Sequence, residues 1–168
     1  MIRKFALIIF CGLTLSLSAQ ESKFGHINSV EILSQMPEKI TIEKSISDLS
    51  NQWNAEISKL RDEYYAKIKE YQDKLKNMPE SIKAARQSEI AELEKRIANT
   101  QKTANDDLQK KQQELFAPVI EKVKKAISEV GAENELLYIF DTSTQGIIYQ
   151  SPKSNDITEL VKKKLGLK

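Results

Sequence analysis

The sequence predicts a mainly helical α+β protein, in which a long antiparallel helical hairpin (a coiled-coil arm) projects from a small β-containing body. Glycine and proline are scarce, at 5 and 4 of 168 residues, and 30% of the residues are charged, which is typical of long helices. Apolar residues recur every three or four positions through the middle of the chain, whereas two short β-prone runs lie near its end.

The first helix of the arm is indicated by an apolar stripe with no spacing other than three or four residues. At about 1.5 Å per residue, this stripe would extend roughly 55 Å. Pro37 precedes it and suits the first turn of a helix. The stripe consists of Ile42, Ile46, Leu49, Trp53, Ile57, Leu60, Tyr64, Ile68, Tyr71, Leu75 and Met78.

A second helix follows after Pro79, which interrupts the first stripe and can open a new helix. A short connection between two long helices makes them antiparallel neighbours, so we expect an arm over residues 50–115 with its tip near 77–81. The second stripe consists of Ile82, Ile90, Leu93, Ile97, Ala104, Leu108, Leu115, Val119, Val123, Ile127 and Val130.

The seam of this hairpin is weak in its middle section. Thr100, Ala104 and Lys111 occupy positions where large apolar residues would lock a coiled coil. Pro118 predicts a kink near the body. We therefore expect an arm that holds together but bends.

The body is predicted to comprise residues 20–49 and 116–168. Three strands are expected, near residues 23–28, 136–141 and 146–150, with the last two forming a β-hairpin around a glycine-containing turn. A C-terminal helix over 156–165 follows Pro152.

The two β-prone runs carry more apolar surface than so small a body could bury within one chain. An exposed apolar edge is an aggregation hazard, so the surplus predicts self-association through this region. The expected oligomer interface consists of Ile27, Leu137, Ile139, Ile148 and Tyr149.

Residues 1–19 have the pattern of a cleaved secretory signal peptide. Arg3 and Lys4 precede an apolar stretch, and Ser18 and Ala19 supply small residues before the expected cut. Removing those two cations from a chain of 26 basic and 24 acidic residues leaves equal numbers of each. A formally neutral mature chain disfavours a nucleic-acid binder.

The residue types needed for catalysis or metal binding are sparse. The lone cysteine, Cys11, leaves with the signal peptide, and His26 is the lone histidine, so a metal site is not expected. The chain shows no phosphate-binding glycine loop, and its carboxylates are scattered along solvated helix faces. We therefore predict a protein without catalytic residues, metal or cofactor.

Basic residues outnumber acidic ones near the arm tip, which allows either contact with a binding partner or simple solvation of the hairpin. Trp53, Tyr64 and Tyr71 lie on the seam and are expected to pack there, whereas Tyr65 lies off it. The candidate partner-binding residues are Tyr65, Lys67, Lys69, Lys74, Lys76, Lys83 and Arg86.

Three segments give the chain a family resemblance. The N-terminal segment FGHINSVEILSQMPE, the helical segment LFAPVIEKVKKAI and the closing segment LLYIFDTSTQGIIYQSPKSNDITELVKKKLG resemble the Skp/OmpH family of periplasmic chaperones. The resemblance covers essentially the whole mature chain.

The resemblance implies a homotrimer in the periplasm, whose β-rich bodies join and whose flexible arms surround a cavity for unfolded outer-membrane β-barrel proteins. It also implies holdase activity without ATP, metal or enzymatic chemistry. Known members are markedly basic, whereas this mature chain is neutral, so lipopolysaccharide or a membrane surface is a less secure partner here.

Two other interpretations fit a helical hairpin. A coiled-coil adaptor or spacer of the cell envelope would bridge two fixed partners, and it would need a stiff seam, which Thr100 and Lys111 do not favour. A peripheral membrane-binding hairpin would need a wider apolar face with clustered cations.

Overall fold

Two long helices account for most of the chain in the computed structural model, which describes residues 24–167. The predicted signal peptide, residues 1–19, lies outside this range. Contacts within the chain divide the protein into two units. The hairpin unit comprises residues 33–124, and the sheet unit comprises residues 24–32 and 125–167. The described helices include none that is both long enough and apolar enough to cross a membrane.

The hairpin unit is built from helix α2, Glu38–Lys74, and the greater part of helix α3, Glu80–Glu133. A 3₁₀ turn, Leu75–Asn77, and two further residues connect them. Pro37 directly precedes α2, and the carbonyl oxygen of Pro79 accepts hydrogen bonds from the amides of Ile82 and Lys83, both at 3.0 Å. Pro37 and Pro79 thus lie at helix starts, where a backbone N–H would have no partner within the helix.

Side-chain contacts show that the two helices are antiparallel, because partners on α3 move backwards along the chain as those on α2 move forwards. The contacts are Glu38–Lys122 at 2.6 Å, Trp53–Asp107 at 3.0 Å, Glu63–Arg96 at 3.8 Å and Tyr71–Gln87 at 2.9 Å. The predicted helical hairpin is confirmed, and α3 continues through Pro118 as a helix.

Burial along the seam is concentrated at a few levels. The middle section contains the small residue Ala104, and both Thr100 and Lys111 are partly buried there. The buried apolar residues of α2 and α3 are Ile42, Ile57, Leu60, Leu93, Ala104, Val119, Val123, Ala126 and Val130.

The sheet unit contains three short strands, β1 (Phe24–Ile27), β2 (Tyr138–Asp141) and β3 (Asn155–Asp156). Their order is β2-β1-β3, and both pairings are parallel. Helix α1, Ser29–Ser34, follows β1, and helix α4, Thr158–Lys164, follows β3. The mainly helical α+β fold class is confirmed.

The predicted β-hairpin between residues 136–141 and 146–150 is wrong. Residues 147–150 form no strand, and β2 pairs with β1 instead. The backbone turns away directly after β2, because Thr142 donates from its amide and hydroxyl to the carbonyl oxygen of Ile27, at 2.8 and 2.9 Å. Asp141 stabilises that turn by accepting hydrogen bonds from the amide of Ser143 and the hydroxyl of Ser29.

The start of α4 depends on Asp156 rather than on a residue within the helix. Its carboxylate accepts hydrogen bonds from the amide and the hydroxyl of Thr158, at 2.9 and 2.6 Å. Helix α4 therefore begins two residues later than predicted. It contributes Val161 to the core of the unit, where Ile32 and Ile157 are also fully buried.

Close packing explains two glycines of the sheet unit. A Cβ atom on Gly25 would lie 2.8 Å from Leu136 Cδ1, and one on Gly131 would lie 2.9 Å from Ile139 Cδ1. Both distances are too short for a real contact, so Leu136 packs against β1 and Ile139 packs against the C-terminal turns of α3.

Candidate functional site

Four of the six basic residues predicted to bind clients near the hairpin tip are already ion-paired. Arg86 and Lys67 share Glu89, at 2.7 and 3.7 Å, which makes this carboxylate the centre of a small network. Lys74 pairs with Glu70 at 2.9 Å, and Lys83 pairs with Glu80 at 3.1 Å. Much of the positive charge counted from the sequence is therefore neutralised locally.

The pKa values of the tip carboxyls follow from these pairs. The hydrogen bond from Arg86 lowers the pKa of Glu89, and the hydrogen bond from Lys74 lowers the pKa of Glu70. The pKa of Arg86 is raised by the same contact with Glu89. These groups therefore stay charged at neutral pH and hold their partners.

Among the predicted client-binding residues, Lys69, Lys76 and Tyr65 are the three that are exposed and form no ion pair within residues 24–167. Both lysines are exposed, and neither forms an ion pair with any residue of the described range 24–167. Tyr65 is 64% exposed, and its ring meets that of Tyr64 edge-on at 5.5 Å. These three side chains are available to a partner without breaking an existing ion pair.

The seam aromatics are held within the hairpin, as expected for Trp53 and Tyr71. Trp53 Nε1 donates to Asp107 Oδ2 at 3.0 Å, and Tyr71 OH accepts from Gln87 Nε2 at 2.9 Å. Next to Trp53, a groove of about 490 Å³ opens at the level of Ala104, with mostly polar side chains along its walls. Ile57 and Ala104 are nevertheless buried at this level, so the groove lies at the surface of the seam.

Exposed aromatic side chains cover one face of the small sheet. Phe24 lies 6.0 Å from Tyr138 and 6.3 Å from Phe140 between ring centroids, and the two β2 rings are 6.3 Å apart. Phe24, Tyr138 and Phe140 are 50%, 64% and 45% exposed. Leu137, Ile148 and Tyr149 are also exposed, at 60%, 100% and 79%. Phe24, Tyr138 and Phe140, together with Tyr149, which lines a groove with Phe24 and Phe140, form what we call the apolar face.

The residues of the predicted interface divide into two groups. Leu137, Ile148 and Tyr149 are exposed, and Tyr149 belongs to the apolar face, but Ile27 is only 3% exposed and leaves no surface for a partner. Ile139 is half-buried because it packs against Gly131. Sequence reasoning missed Phe24, Tyr138 and Phe140, although the alternation of side chains along a strand places Tyr138 and Phe140 on the side opposite Ile139.

His26 is a buried structural residue at the centre of β1. Its Nε2 atom lies 2.7 Å from the Gln150 amide nitrogen and 3.6 Å from Asp156 Oδ2. Burial acts to raise the pKa of Asp156, but hydrogen bonds from Thr158 and the contact with His26 outweigh it and lower that pKa. Residues 24–167 contain no cluster of histidine, cysteine or carboxylate side chains suited to a metal ion.

The described residues thus form a helical hairpin unit and a sheet unit, whose three parallel strands carry exposed aromatic side chains. The family described as "Outer membrane protein (OmpH-like)" matches residues 23–165, so the chain belongs to the OmpH-like family. The resemblance seen in the sequence is thereby confirmed.

A solved structure has the same fold. It is a crystal structure assigned as an outer membrane chaperone (OmpH-like) from Caulobacter crescentus CB15, with a TM-score of 0.68. The two proteins are 13% identical, and the match covers 86% of this chain and 83% of that one. No curated protein matches the chain.

Proposed function

We propose that the protein is a periplasmic, ATP-independent holdase chaperone, which binds unfolded outer-membrane proteins and prevents their aggregation before membrane assembly. The observation that carries this proposal is the OmpH-like family match over residues 23–165. The fold shared with a structure assigned as an outer membrane chaperone supports it.

The surface of the hairpin unit suits a protein that must hold a client without folding it. Most exposed side chains are polar or charged, and the exposed large apolar side chains are few and spread along the sequence. Many weak, linked contacts hold a chain at high effective concentration while each one releases readily. The exposed large apolar residues of this unit are Ile40, Tyr65, Leu75, Ile82 and Ile120.

Self-association is part of the proposal. The four side chains of the apolar face form a cluster of the kind that marks an interaction site on a soluble protein. A homotrimer joined through this face would place three helical hairpins around one client, as the family resemblance implies. Each copy would then add its weak contacts to those of the other two.

Export completes the proposal. Cleavage after Ala19 would deliver a mature chain of equal positive and negative charge to the periplasm. Because four of the tip cations are ion-paired, we place unfolded polypeptide ahead of lipopolysaccharide or a membrane surface as the main partner.

The test is an aggregation assay with the mature chain. An unfolded outer-membrane β-barrel protein is diluted from urea into nucleotide-free buffer, and turbidity is followed with and without the mature chain. We expect turbidity to disappear at a stoichiometric amount of chaperone. Aggregation at the unassisted rate would contradict the proposal and favour the alternative, an envelope adaptor or spacer with a folded partner.

A further inference from the structure

We propose that one flank of α2, about a quarter turn from the seam, binds the acidic side of an extended client segment. This surface, which we call the outer stripe, consists of Tyr65, Lys69, Gln72 and Lys76. The inference rests on the proposed function, since it identifies where and by what chemistry the hairpin contacts an unfolded chain.

The geometry of a helix places these four residues on one side. They are separated by four, three and four positions, and a helix has 3.6 residues per turn, so their side chains line up along its axis. All four are exposed. The buried and half-buried seam residues, including Leu60, Tyr64 and Tyr71, lie about 100° away around the helix. Lys76 continues the line into the 3₁₀ turn.

The outer stripe carries the tip cations that are not engaged. Lys67, Lys74, Lys83 and Arg86 each have a carboxylate partner, whereas Lys69 and Lys76 have none within residues 24–167. Asp73 lies between the two lysines in sequence, but it lines the groove at the tip and pairs with neither. An incoming carboxylate can therefore pair with Lys69 or Lys76 without displacing another.

The dimensions of the outer stripe match an extended chain. Tyr65 to Lys76 spans roughly 16 Å of helix axis, which is the length of about five residues of β-strand. Lys69 and Lys76 lie seven positions apart, or roughly 10.5 Å along the helix axis, whereas side chains on one side of a strand recur about every 6.7 Å. The long, flexible lysine side chains can span the difference, so each lysine can meet a carboxylate of a client segment that carries them at alternate positions.

The client class supplies such segments. Strands of outer-membrane β-barrels alternate between lipid-facing apolar residues and polar residues that face the lumen. One side of such a strand can place carboxylates against Lys69 and Lys76, while its apolar side remains free for the other contacts of the chaperone. The ring of Tyr65, positioned by Tyr64, extends the stripe with a flat surface for an aromatic side chain.

Two variants of the mature chain with equal charge test this inference. Lys69→Gln/Lys76→Gln removes the two unpaired cations, and Lys74→Gln/Lys83→Gln removes two paired ones. The probes are a fluorescent nine-residue peptide with aspartate at alternate positions and one central tyrosine, and its asparagine counterpart. Their Kd values are measured by anisotropy at low and physiological salt.

We expect the outer-stripe variant to lose about fivefold in affinity for the aspartate peptide, and the control variant less than about twofold, because exposed ion pairs contribute a few tenths to one kcal/mol each. The asparagine peptide should bind both variants equally. Equal losses in the two variants would overturn the inference and assign the effect to net charge. Normal peptide binding with reduced binding to lipopolysaccharide vesicles would overturn it in favour of a lipid-facing stripe.

Failure of this inference is distinguishable from failure of the proposed function. If the unaltered chain keeps an unfolded barrel protein soluble but Lys69→Gln/Lys76→Gln binds the aspartate peptide normally, the outer stripe is wrong and the holdase stands. If the unaltered chain leaves the barrel protein to aggregate, the proposed function itself fails.

Discussion

Trp53 Nε1 donates a hydrogen bond to Asp107 Oδ2 at 3.0 Å, which places a polar contact inside the helical hairpin, where a coiled coil would have apolar packing. The indole N–H of a partly buried tryptophan needs an acceptor, and a carboxylate on the facing helix provides one. The same level contains the groove beside Ala104. The middle of the hairpin is thus held by a specific but weak connection.

Replacing Trp53 by phenylalanine should weaken this connection without emptying the seam. We expect a loss of about 1 kcal/mol in the free energy of unfolding, the usual contribution of a hydrogen bond of this kind. Urea unfolding followed by circular dichroism measures it. In Asp107→Ala the partner is already absent, so adding Trp53→Phe should then cost much less. If Trp53→Phe lowers the free energy of unfolding as much in Asp107→Ala as in the unaltered chain, the hydrogen bond contributes nothing to stability.

Filling the groove should have the opposite effect. Ala104→Leu adds apolar volume beside Ile57 and Leu108, and cavity-filling changes of this type commonly stabilise a protein by about 1 kcal/mol. Amide exchange in residues 100–108 should slow accordingly. Lys102, which is exposed and lies outside the groove, provides the control, since Lys102→Leu should change neither quantity. Faster exchange in Ala104→Leu would mean that the groove is too narrow for the larger side chain.

Lys162 joins α4 to α1 in the sheet unit, where its side chain is 6% exposed and contacts Glu159 and Glu31. The hydrogen bonds that Lys162 donates to these carboxylates, first to Glu159 and then to Glu31, raise its pKa. A raised folded-state pKa means that the stabilisation is complete below the unfolded value, about 10.4, and is lost as pH rises through the folded value.

Lys162→Met should therefore lower Tm at pH 8, and the decline of Tm above pH 10 should be shallower in this variant than in the unaltered chain. Lys164 also contacts two carboxylates, Glu129 and Glu133, but its side chain is 33% exposed. Lys164→Met should consequently show a smaller change in Tm at pH 8. Thermal unfolding across pH 8 to 11 checks both, and equal effects would contradict a special role for the buried lysine.

The apolar face should be required for self-association. Tyr138→Ser/Phe140→Ser removes two of its aromatic side chains, and we expect the oligomer to dissociate to monomers at micromolar concentration. Tyr65 is as exposed as Tyr138, at 64%, but lies in the hairpin unit. Tyr65→Ser should leave the oligomer intact. Sedimentation velocity distinguishes the two variants, and an intact oligomer in the first would exclude this face.

The sequence predicted the helices well because the information that specifies them is local. The three- and four-residue spacing of the apolar stripe runs through the whole of α2, and Pro37 and Pro79 lie at helix boundaries for reasons that involve only their own backbone. The weak seam at Thr100 and Ala104 was likewise visible in the residue types.

The sheet was predicted less well because strand pairing depends on residues far apart in the chain. Residues 146–150 are β-prone, but the hydrogen bonds of Thr142 to Ile27 direct the chain away from a β-hairpin. Ile27 and Tyr149 look equally apolar in the sequence, yet one is buried and the other exposed.

The ion pairs at the hairpin tip could not be predicted from the sequence either. Nothing local distinguishes Lys67 from Lys69, but the fold brings Lys67 to Glu89 on the facing helix and leaves Lys69 without an ion pair in the described range. The net excess of positive charge was predictable, whereas the residues able to use it were not.

The most direct test of the holdase proposal is the mass of the mature protein by light scattering, alone and after mixing with a urea-unfolded outer-membrane barrel protein in nucleotide-free buffer. The account predicts a species of three protomers alone and one discrete, soluble complex that contains the barrel protein. A monomer that leaves the barrel protein to aggregate would contradict it.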